Sequence, residues 1–401
     1  MQDISLGIGD VIEVATERLA YGGDAVARHN GLAIFIAFAA PDERLRVRIV
    51  ERRKNFARAV IEEILEPSPA RRAAPCQYFG DCGGCQLQHI TYEAQLEAKA
   101  GFVRDALKRV GKIEWPQKIE VRHAAEFGYR SRAQIKIERF NPQNSSSRRV
   151  GFNRIGSHSI CDVSSCPVLV PELEANLPAL RSFVTQSKQS ERNDFTDVEM
   201  AAGENTIAFE PSLAGLPGGD LQRRVRGAVY NFSPSTFFQV NSMLLETLID
   251  EALAEYSGAV AIDLYAGVGL FTIQLARRFG NVIGVELGNQ AARFARENIS
   301  ANNLMNVEFY NARVERWLDD FVAPSPDLIL LDPPRAGAAE AVARIAELKP
   351  LHISYVSCDP ATLARDLRKL LDSGFELERV TAIDLFPQTY HIETVALLKK
   401  Q

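Results

Sequence analysis

Four apolar runs in the last third of the chain each break off at residues able to do chemistry, and this repeated pattern narrows the fold most. Ala261-Ile-Asp-Leu-Tyr-Ala-Gly-Val-Gly-Leu-Phe-Thr272 reads as strand, glycine turn and helix start, and Val282-Ile-Gly-Val-Glu286 as a second strand ending in an acid. Gly267 and Gly269 let the backbone approach a ligand closely, and the Glu286 carboxylate can bind ribose hydroxyls. Thr272 stands where a dinucleotide fingerprint has its third glycine, so the turn suits S-adenosylmethionine, which has no pyrophosphate, better than NAD. Asp327-Leu-Ile-Leu-Leu-Asp-Pro-Pro-Arg335 is a third strand, broken by Pro333-Pro334. Ile353-Ser-Tyr-Val-Ser357 is a fourth, stopping at Cys358-Asp359-Pro360 before a helix. Such alternation predicts an open α/β sheet with these turns along its carboxyl edge, where ligands bind. On that edge Cys358 is a candidate nucleophile rather than a packed core thiol.

With 401 residues and 46% hydrophobic content, the chain is long enough for two or three domains. It has neither a signal-peptide pattern nor an apolar run long enough to span a bilayer, so a cytoplasmic protein with no membrane partner, monomeric, is expected. Six cysteines are too few for a disulfide scaffold in a chain of this length and point to metal binding or catalysis. The formal charge of −5 is unevenly spread: residues 1–160 carry 25 Lys/Arg against 19 Asp/Glu, and residues 161–401 carry 21 against 32. The positive half is the one that would face a polyanion.

Residues 1–64 hold short alternating runs, Asp10–Val14, Leu32–Ile36 and Leu45–Val50, with turns at Gly22-Gly23 and Asn30-Gly31, which predict a small β-barrel. Arg44, Arg46, Arg48, Arg52, Arg53, Lys54 and Arg58 make a basic strip on its later strands. Beyond Glu66-Pro-Ser-Pro69 come Cys76, Cys82 and Cys85, close enough to share one metal centre. Cys166-Pro167 is the better fourth ligand, since a Cys-Pro end resembles iron–sulfur ligand runs, and Cys161 then reads as structural. Thiolate count alone leaves zinc open. An amphipathic helix is expected over 91–111, with Leu96, Val103, Leu107 and Val110 on one face. A strand is expected over Tyr129–Glu138, with Arg130, Arg132 and Lys136 on one side, then a polar hairpin tip at Asn141–Ser147. Residues 171–230 read as scaffold, and a helix is expected to start at Phe237 and run through Leu253.

The glycine turn, the Asp332-Pro-Pro-Arg335 loop, Ser357-Cys-Asp-Pro-Ala-Thr-Leu-Ala-Arg-Asp366 and His391-Ile-Glu-Thr394 together resemble the RNA uracil-5-methyltransferase family, in that family's order. Gly23-Asp-Ala-Val-Ala-Arg-His-Asn-Gly31 resembles the TRAM domain, an OB-like RNA-binding barrel. The resemblance implies a C-terminal Rossmann-like S-adenosylmethionine-dependent methyltransferase domain over 233–401, an N-terminal OB-like barrel over 1–64, and a central α+β iron–sulfur domain over 65–232. It implies a [4Fe–4S] cluster on Cys76, Cys82, Cys85 and Cys166, and a helix near 91–111 packed on the catalytic domain. Gln239 would lie against the cofactor, Tyr265 and Glu286 beside adenosine, and Asp332 on the uracil edge. Leu270 replaces a polar residue of relatives, which leaves its side chain without that contact.

Chemistry supplies the remaining roles. Uracil carbon 5 is a weak nucleophile until a thiolate adds at carbon 6, the role expected of Cys358, with a helix N-terminus as its activator. Carbon 5 then carries a proton that a base must remove before the thiol leaves, and Glu393 in Tyr390-His-Ile-Glu393 is the expected base. The target uridine would be flipped from its RNA fold. The favoured substrate is 23S ribosomal RNA, with transfer RNA the alternative. A methyltransferase for exocyclic amines and a non-catalytic cluster-bearing RNA-binding protein are the more distant readings.

Overall fold

The alternating runs at the N-terminus close into a five-stranded barrel: β1 (Val11–Leu19), β2 (Ala25–His29), β3 (Leu32–Ile36), β4 (Arg44–Arg52) and β5 (Phe56–Glu66), in the order β1-β2-β3-β5-β4. Asn30 and Gly31 form the two-residue turn between His29 and Leu32, both at positive φ, as a hairpin of that length requires. Inward residues such as Ile34, Ile36, Leu45, Val47 and Ile49 are fully buried and fill the barrel. The expected basic strip is revised. Register sets Arg46 opposite Glu13 on β1 and Glu63 on β5, and it ion-pairs with both. Arg44 pairs with Glu13 and Glu66, Arg48 with Glu62, and Arg58 with Asp24. The strip is an ion-pair ladder, because Glu13 on β1 and Glu62, Glu63 and Glu66 on β5 flank the arginines of β4.

The computed structural model describes residues 6–139, 148–186, 195–322 and 325–401. They form two compact units, the first comprising Met1–Phe102, Asn153–Cys161 and Phe386–His391, the second Val103–Phe152, Asp162–Leu385 and Ile392–Gln401. The expected helix spans Tyr92–Arg109, but its buried face differs from the apolar reading. Val110 is exposed, whereas Gln95 and Lys99 are buried because both serve the backbone. Gln95 donates to Leu87 and Ile90 carbonyls and accepts from the Gln388 N–H, and Lys99 donates to the Phe386 carbonyl at 3.0 Å. A periodicity of apolar residues cannot reveal such polar anchors.

In the second unit, β6 (Glu120–Arg122) pairs with the catalytic sheet. The strand expected over Tyr129–Glu138 is β7 (Arg132–Ile137), followed by β8 (Val150–Asn153), β9 (Ile160–Asp162), β10 (Asp197–Ala202) and β11 (Ile207–Glu210), in the order β11-β10-β7-β8-β9. Its Arg132 and Lys136 pair with Glu199 and Asp197 on β10. The expected tip at Asn141–Ser147 lies outside the described residues. A hairpin of β12 (Leu221–Val225) and β13 (Ala228–Phe232) leads toward the catalytic half. The helix expected from Phe237 begins later. Residues 237–240 are non-helical, Ser131 bonds the Val240 carbonyl through both its N–H and hydroxyl, and Asn241 caps a short 3-10 turn before the helix Leu245–Leu253.

The large sheet comprises β6, β14 (Gly258–Leu264), β15 (Phe279–Glu286), β16 (Val307–Asn311), β17 (Leu328–Leu331), β18 (His352–Ser357), β19 (Phe375–Ile383) and β20 (Glu393–Lys400). Its order is β16-β15-β14-β17-β18-β20-β19-β6. Of the parallel strands, β14, β15, β17 and β18 are largely buried and read as apolar runs, while β16 at the sheet edge is half-exposed. The order reverses direction at β14, the switch point at which open sheets leave a crevice. Among the described residues no helix is long and apolar enough to cross a membrane.

Candidate active site

Five adjacent strands deliver one candidate each to the same sheet edge. In the order β15, β14, β17, β18, β20 these are Glu286, the Tyr265–Gly269 turn, Asp332, Cys358 and Glu393. The turn is sharp: Gly267 and Gly269 sit at φ +57° and +89°, and Tyr265, a residue that pays for this region, at +60°. The Glu286 carboxylate accepts the Gly267 N–H at 2.9 Å and the Gly288 N–H at 2.6 Å, so the acid at the end of β15 also holds the glycine turn. Tyr265 donates its hydroxyl to Glu315 at 2.9 Å, which fixes its ring. Gln239 is buried, next to Phe238, whose ring stacks on Phe232 at 4.6 Å. Leu270 is buried and contributes its carbonyl to the Tyr230 hydroxyl.

Three supporting residues escaped the sequence reading. Asn298, fully buried on the helix Asn289–Ala301, donates to the Val268 carbonyl inside the glycine turn at 3.0 Å and brackets the Asn231 backbone, accepting from its N–H at 2.6 Å and donating to its carbonyl at 3.1 Å. Asn302, one turn on, does the same with Val229. Asn residues at i and i+4 were a helix face with no motif, and only the pairing reveals them. Asp263 is the third: it takes the Thr272 hydroxyl, while its other oxygen meets no donor among the described residues. Burial drives Asp263 up to about 7, against the Thr272 bond and with a further push from Asp332.

At the other side of the crevice, β18 and β20 run antiparallel with Ser357 opposite Thr394; Cys358 follows that pair and Glu393 precedes it, near enough for the Glu393 charge to act on the thiol. Glu393 is 3% exposed and its Oε1 has no donor among the described residues. Burial, then the Asp332 charge, holds its carboxyl well above the usual range. Asp332, one residue past β17, is likewise pushed up to about 7 by burial. The Cys358 thiol is pushed up to about 11 by burial first, then by Glu393 and Asp332, against Arg335. The expected activation by a helix N-terminus is therefore corrected. Asp359 caps the helix Pro360–Asp372, accepting the Ala361 and Thr362 N–H groups at 2.9 Å, so that positive end is already matched by a carboxylate. The carboxyl groups of Glu286, Asp332 and Glu393 thus gather along this one edge of the sheet.

The profile of the tRNA (Uracil-5-)-methyltransferase family matches residues 219–401, and that of the TRAM domain residues 7–61. The 23S rRNA (uracil(1939)-C(5))-methyltransferase RlmD of Salmonella typhi is 34% identical, covering 97% of this chain and 96% of that protein. The chain belongs to the RNA uracil-5-methyltransferase family. Another relative, an uncharacterized RNA methyltransferase of Aquifex aeolicus, is also 34% identical, over 97% of this chain and 98% of its own length. The crystal structure of Pyrococcus abyssi tRNA (uracil-54, C5)-methyltransferase with S-adenosyl-L-homocysteine superposes with a TM-score of 0.73 at 27% identity, over 96% of this chain and all of that one. This uracil-5-methyltransferase family member thus combines an S-adenosylmethionine-dependent methyltransferase fold with a TRAM barrel.

The cysteines are the remaining candidates. Cys76, Cys82 and Cys85 are half-buried thiols on one loop whose turns are closed by Phe79 N–H to the Cys76 carbonyl and Cys82 N–H to the Tyr78 carbonyl. The Gly84 N–H points at the Cys82 sulfur at 3.4 Å. Their donor chemistry fits a soft metal centre, although no group of three or more metal-ligating side chains is drawn together among the described residues. Cys161 falls in the first unit and Cys166 in the second. Burial, then the neighbouring Asp81, push the Cys161 thiol up to about 12.

Proposed function

We propose that this chain methylates carbon 5 of a uridine in RNA, with Cys358 as the nucleophile at carbon 6 and Glu393 as the base that removes the carbon 5 proton. One juxtaposition carries the reading: a thiol and a buried carboxyl with a free oxygen lie near each other at the paired ends of β18 and β20, with Asp332 on the adjoining strand. The methyl donor supplies an electrophilic carbon. Cys358 loses its proton to a neighbouring carboxylate as its sulfur bonds carbon 6, which places the electron pair on carbon 5. After carbon 5 has gained the methyl group, Glu393 takes its proton, the carbon 5–carbon 6 double bond re-forms and the sulfur leaves. Asp332 hydrogen-bonds the uracil edge. Gln239, Tyr265, Gly267, Gly269 and Glu286 hold S-adenosylmethionine.

A thiol that titrates near 11 is mostly protonated at neutral pH, so attack depends on a base beside it; a carboxyl titrating near 7 suits that task. Ribosomal RNA is the favoured substrate because the near-full-length relatives that carry a substrate in their name act on 23S rRNA. Transfer RNA is the second reading, supported by the Pyrococcus enzyme. We assign RNA binding to the barrel segment 1–64, a [4Fe–4S] cluster on Cys76, Cys82, Cys85 and Cys166 to the segment 65–232, and methyl transfer to the segment 233–401. Zinc on the same thiolates is the rival, separated by iron and sulfide content.

The deciding experiment incubates the protein with 5-fluorouridine-containing ribosomal RNA or transfer RNA and labelled donor. Fluorine cannot leave as a proton, so a labelled covalent complex at Cys358 is expected with the cognate RNA. No complex with either RNA overturns the reading.

A further inference from the structure

The Asp332-Pro-Pro-Arg loop and the helix after Cys358 meet at one buried carboxylate that the mechanism does not use. Asp366 lies on the helix Pro360–Asp372 and is fully buried. Four donors converge on it. The Tyr355 hydroxyl from β18 and the Ala338 N–H from the loop both reach Oδ2 at 2.8 Å. Arg365 reaches Oδ1 through Nε at 2.8 Å and Oδ2 through Nη2 at 3.1 Å. The same Nη2 also donates to the Ala336 carbonyl at 2.9 Å. Between those two loop contacts Gly337 sits at φ +76°, where an added Cβ would come within 2.6 Å of both Arg365 Nη2 and Asp366 Oδ2. The loop thus lies on this pair with no room for a side chain.

Both ends of the clamp belong to reacting groups. The loop begins at Asp332, and Tyr355 and the helix flank Cys358 on its two sides in sequence. We propose that Asp366 and Arg365, assisted by Tyr355, are positioning residues that fix the spacing between the Asp332 carboxyl and the Cys358 thiol, and so the placement of uracil between them. This rests on the function proposed above. A carboxylate is required because all four partners are donors; an amide offers one oxygen and turns two N–H groups against them. Arg365 suits the position because its planar fork bonds the carboxylate through two N–H groups and the Ala336 carbonyl as well, whereas the single ammonium of lysine can make only part of that set.

The test compares Arg365→Ala, Arg365→Lys, Asp366→Asn and Tyr355→Phe with the full-length wild-type protein. The rate of adduct formation on 5-fluorouridine RNA, S-adenosylhomocysteine affinity by calorimetry and the melting temperature are read for each. Arg365→Ala, in which a half-exposed side chain is cut and folding is retained, should form adduct about tenfold or more slowly, since small misplacements of reacting groups are costly. Its S-adenosylhomocysteine affinity should stay within about twofold, because the glycine turn and Glu286 are untouched. Asp366→Asn should be slower still, and Arg365→Lys should recover part of the rate. Tyr355→Phe should lose no more than about threefold, since the Ala338 N–H keeps its bond to Asp366. Wild-type rates in Arg365→Ala and Asp366→Asn overturn the clamp alone. Loss of S-adenosylhomocysteine affinity in step with the adduct rate also overturns it, as general collapse. A wild-type protein that forms no adduct overturns the catalytic reading and the clamp with it.

Discussion

On the barrel, Arg46 faces Glu13 on one side and Glu63 on the other, all of them exposed; at the catalytic edge, Glu393 is 3% exposed and one of its oxygens has no donor among the described residues. The first arrangement satisfies charge pairwise in water and can tolerate loss of a partner. The second keeps carboxyls beside one another and beside a thiol, out of water, where each raises the others' affinity for protons. The barrel thus pairs its exposed arginines with carboxylates, while the sheet edge keeps a buried carboxyl oxygen that meets no donor among the described residues.

The comparison breaks first at Glu393. Glu393→Gln should lower turnover at least about a thousandfold, the order expected for a lost general base, while trapping methylated RNA on Cys358. Cys358→Ala should form no adduct at all. A denaturing gel with labelled donor distinguishes them, and normal turnover by Glu393→Gln would reassign the base.

Next comes the thiol. In the free protein, alkylation of Cys358 by iodoacetamide should titrate near 11 rather than 9, making it about a hundredfold less reactive at pH 8 than an ordinary cysteine. Glu393→Gln should move that midpoint downward. A wild-type midpoint at or below 9 would mean that the carboxyls do not suppress the thiolate.

Asp332 sharpens the contrast through stability. Its folded-state affinity for a proton is raised, so its contribution is lost as pH climbs from the ordinary carboxylate range through about 7. Asp332→Asn should therefore be more stable than wild type in urea unfolding at pH 8, an advantage that shrinks as pH falls through 7 toward 4. Equal stabilities would show that the acid is not desolvated. The opposite sign holds in the barrel unit, where buried His89 is lowered to about 4 by desolvation. Its contribution is complete above pH 6.5 and lost as pH falls toward 4, about 3 kcal/mol. His89→Gln should show a smaller fall than wild type between pH 7 and 4.5.

The smallest effect belongs to the ladder. Converting Arg44, Arg46 and Arg48 to glutamine should change the salt dependence of RNA binding by less than about one unit of slope, because these side chains already have carboxylate partners. A drop of about three units would mean that RNA displaces those carboxylates.

What the sequence by itself determined is local. Period-two apolar runs, Asn30-Gly31, Pro333-Pro334 and the Gly267–Gly269 turn set where strands and breaks fall, so the barrel, the parallel sheet and the position of the candidate residues at strand ends were legible. The tertiary structure alone decided what stands across from what. Pairing of strands far apart in sequence brought Cys358 near Glu393 and set Arg46 against Glu13 and Glu63. Ser131 held residues 237–240 out of a helix, and Asp366 gathered donors from a strand, a helix and a loop. Desolvation, which moved the thiol upward where its helix end suggested the reverse, depends on neighbours brought together from the whole unit, and no stretch of sequence carries that sum.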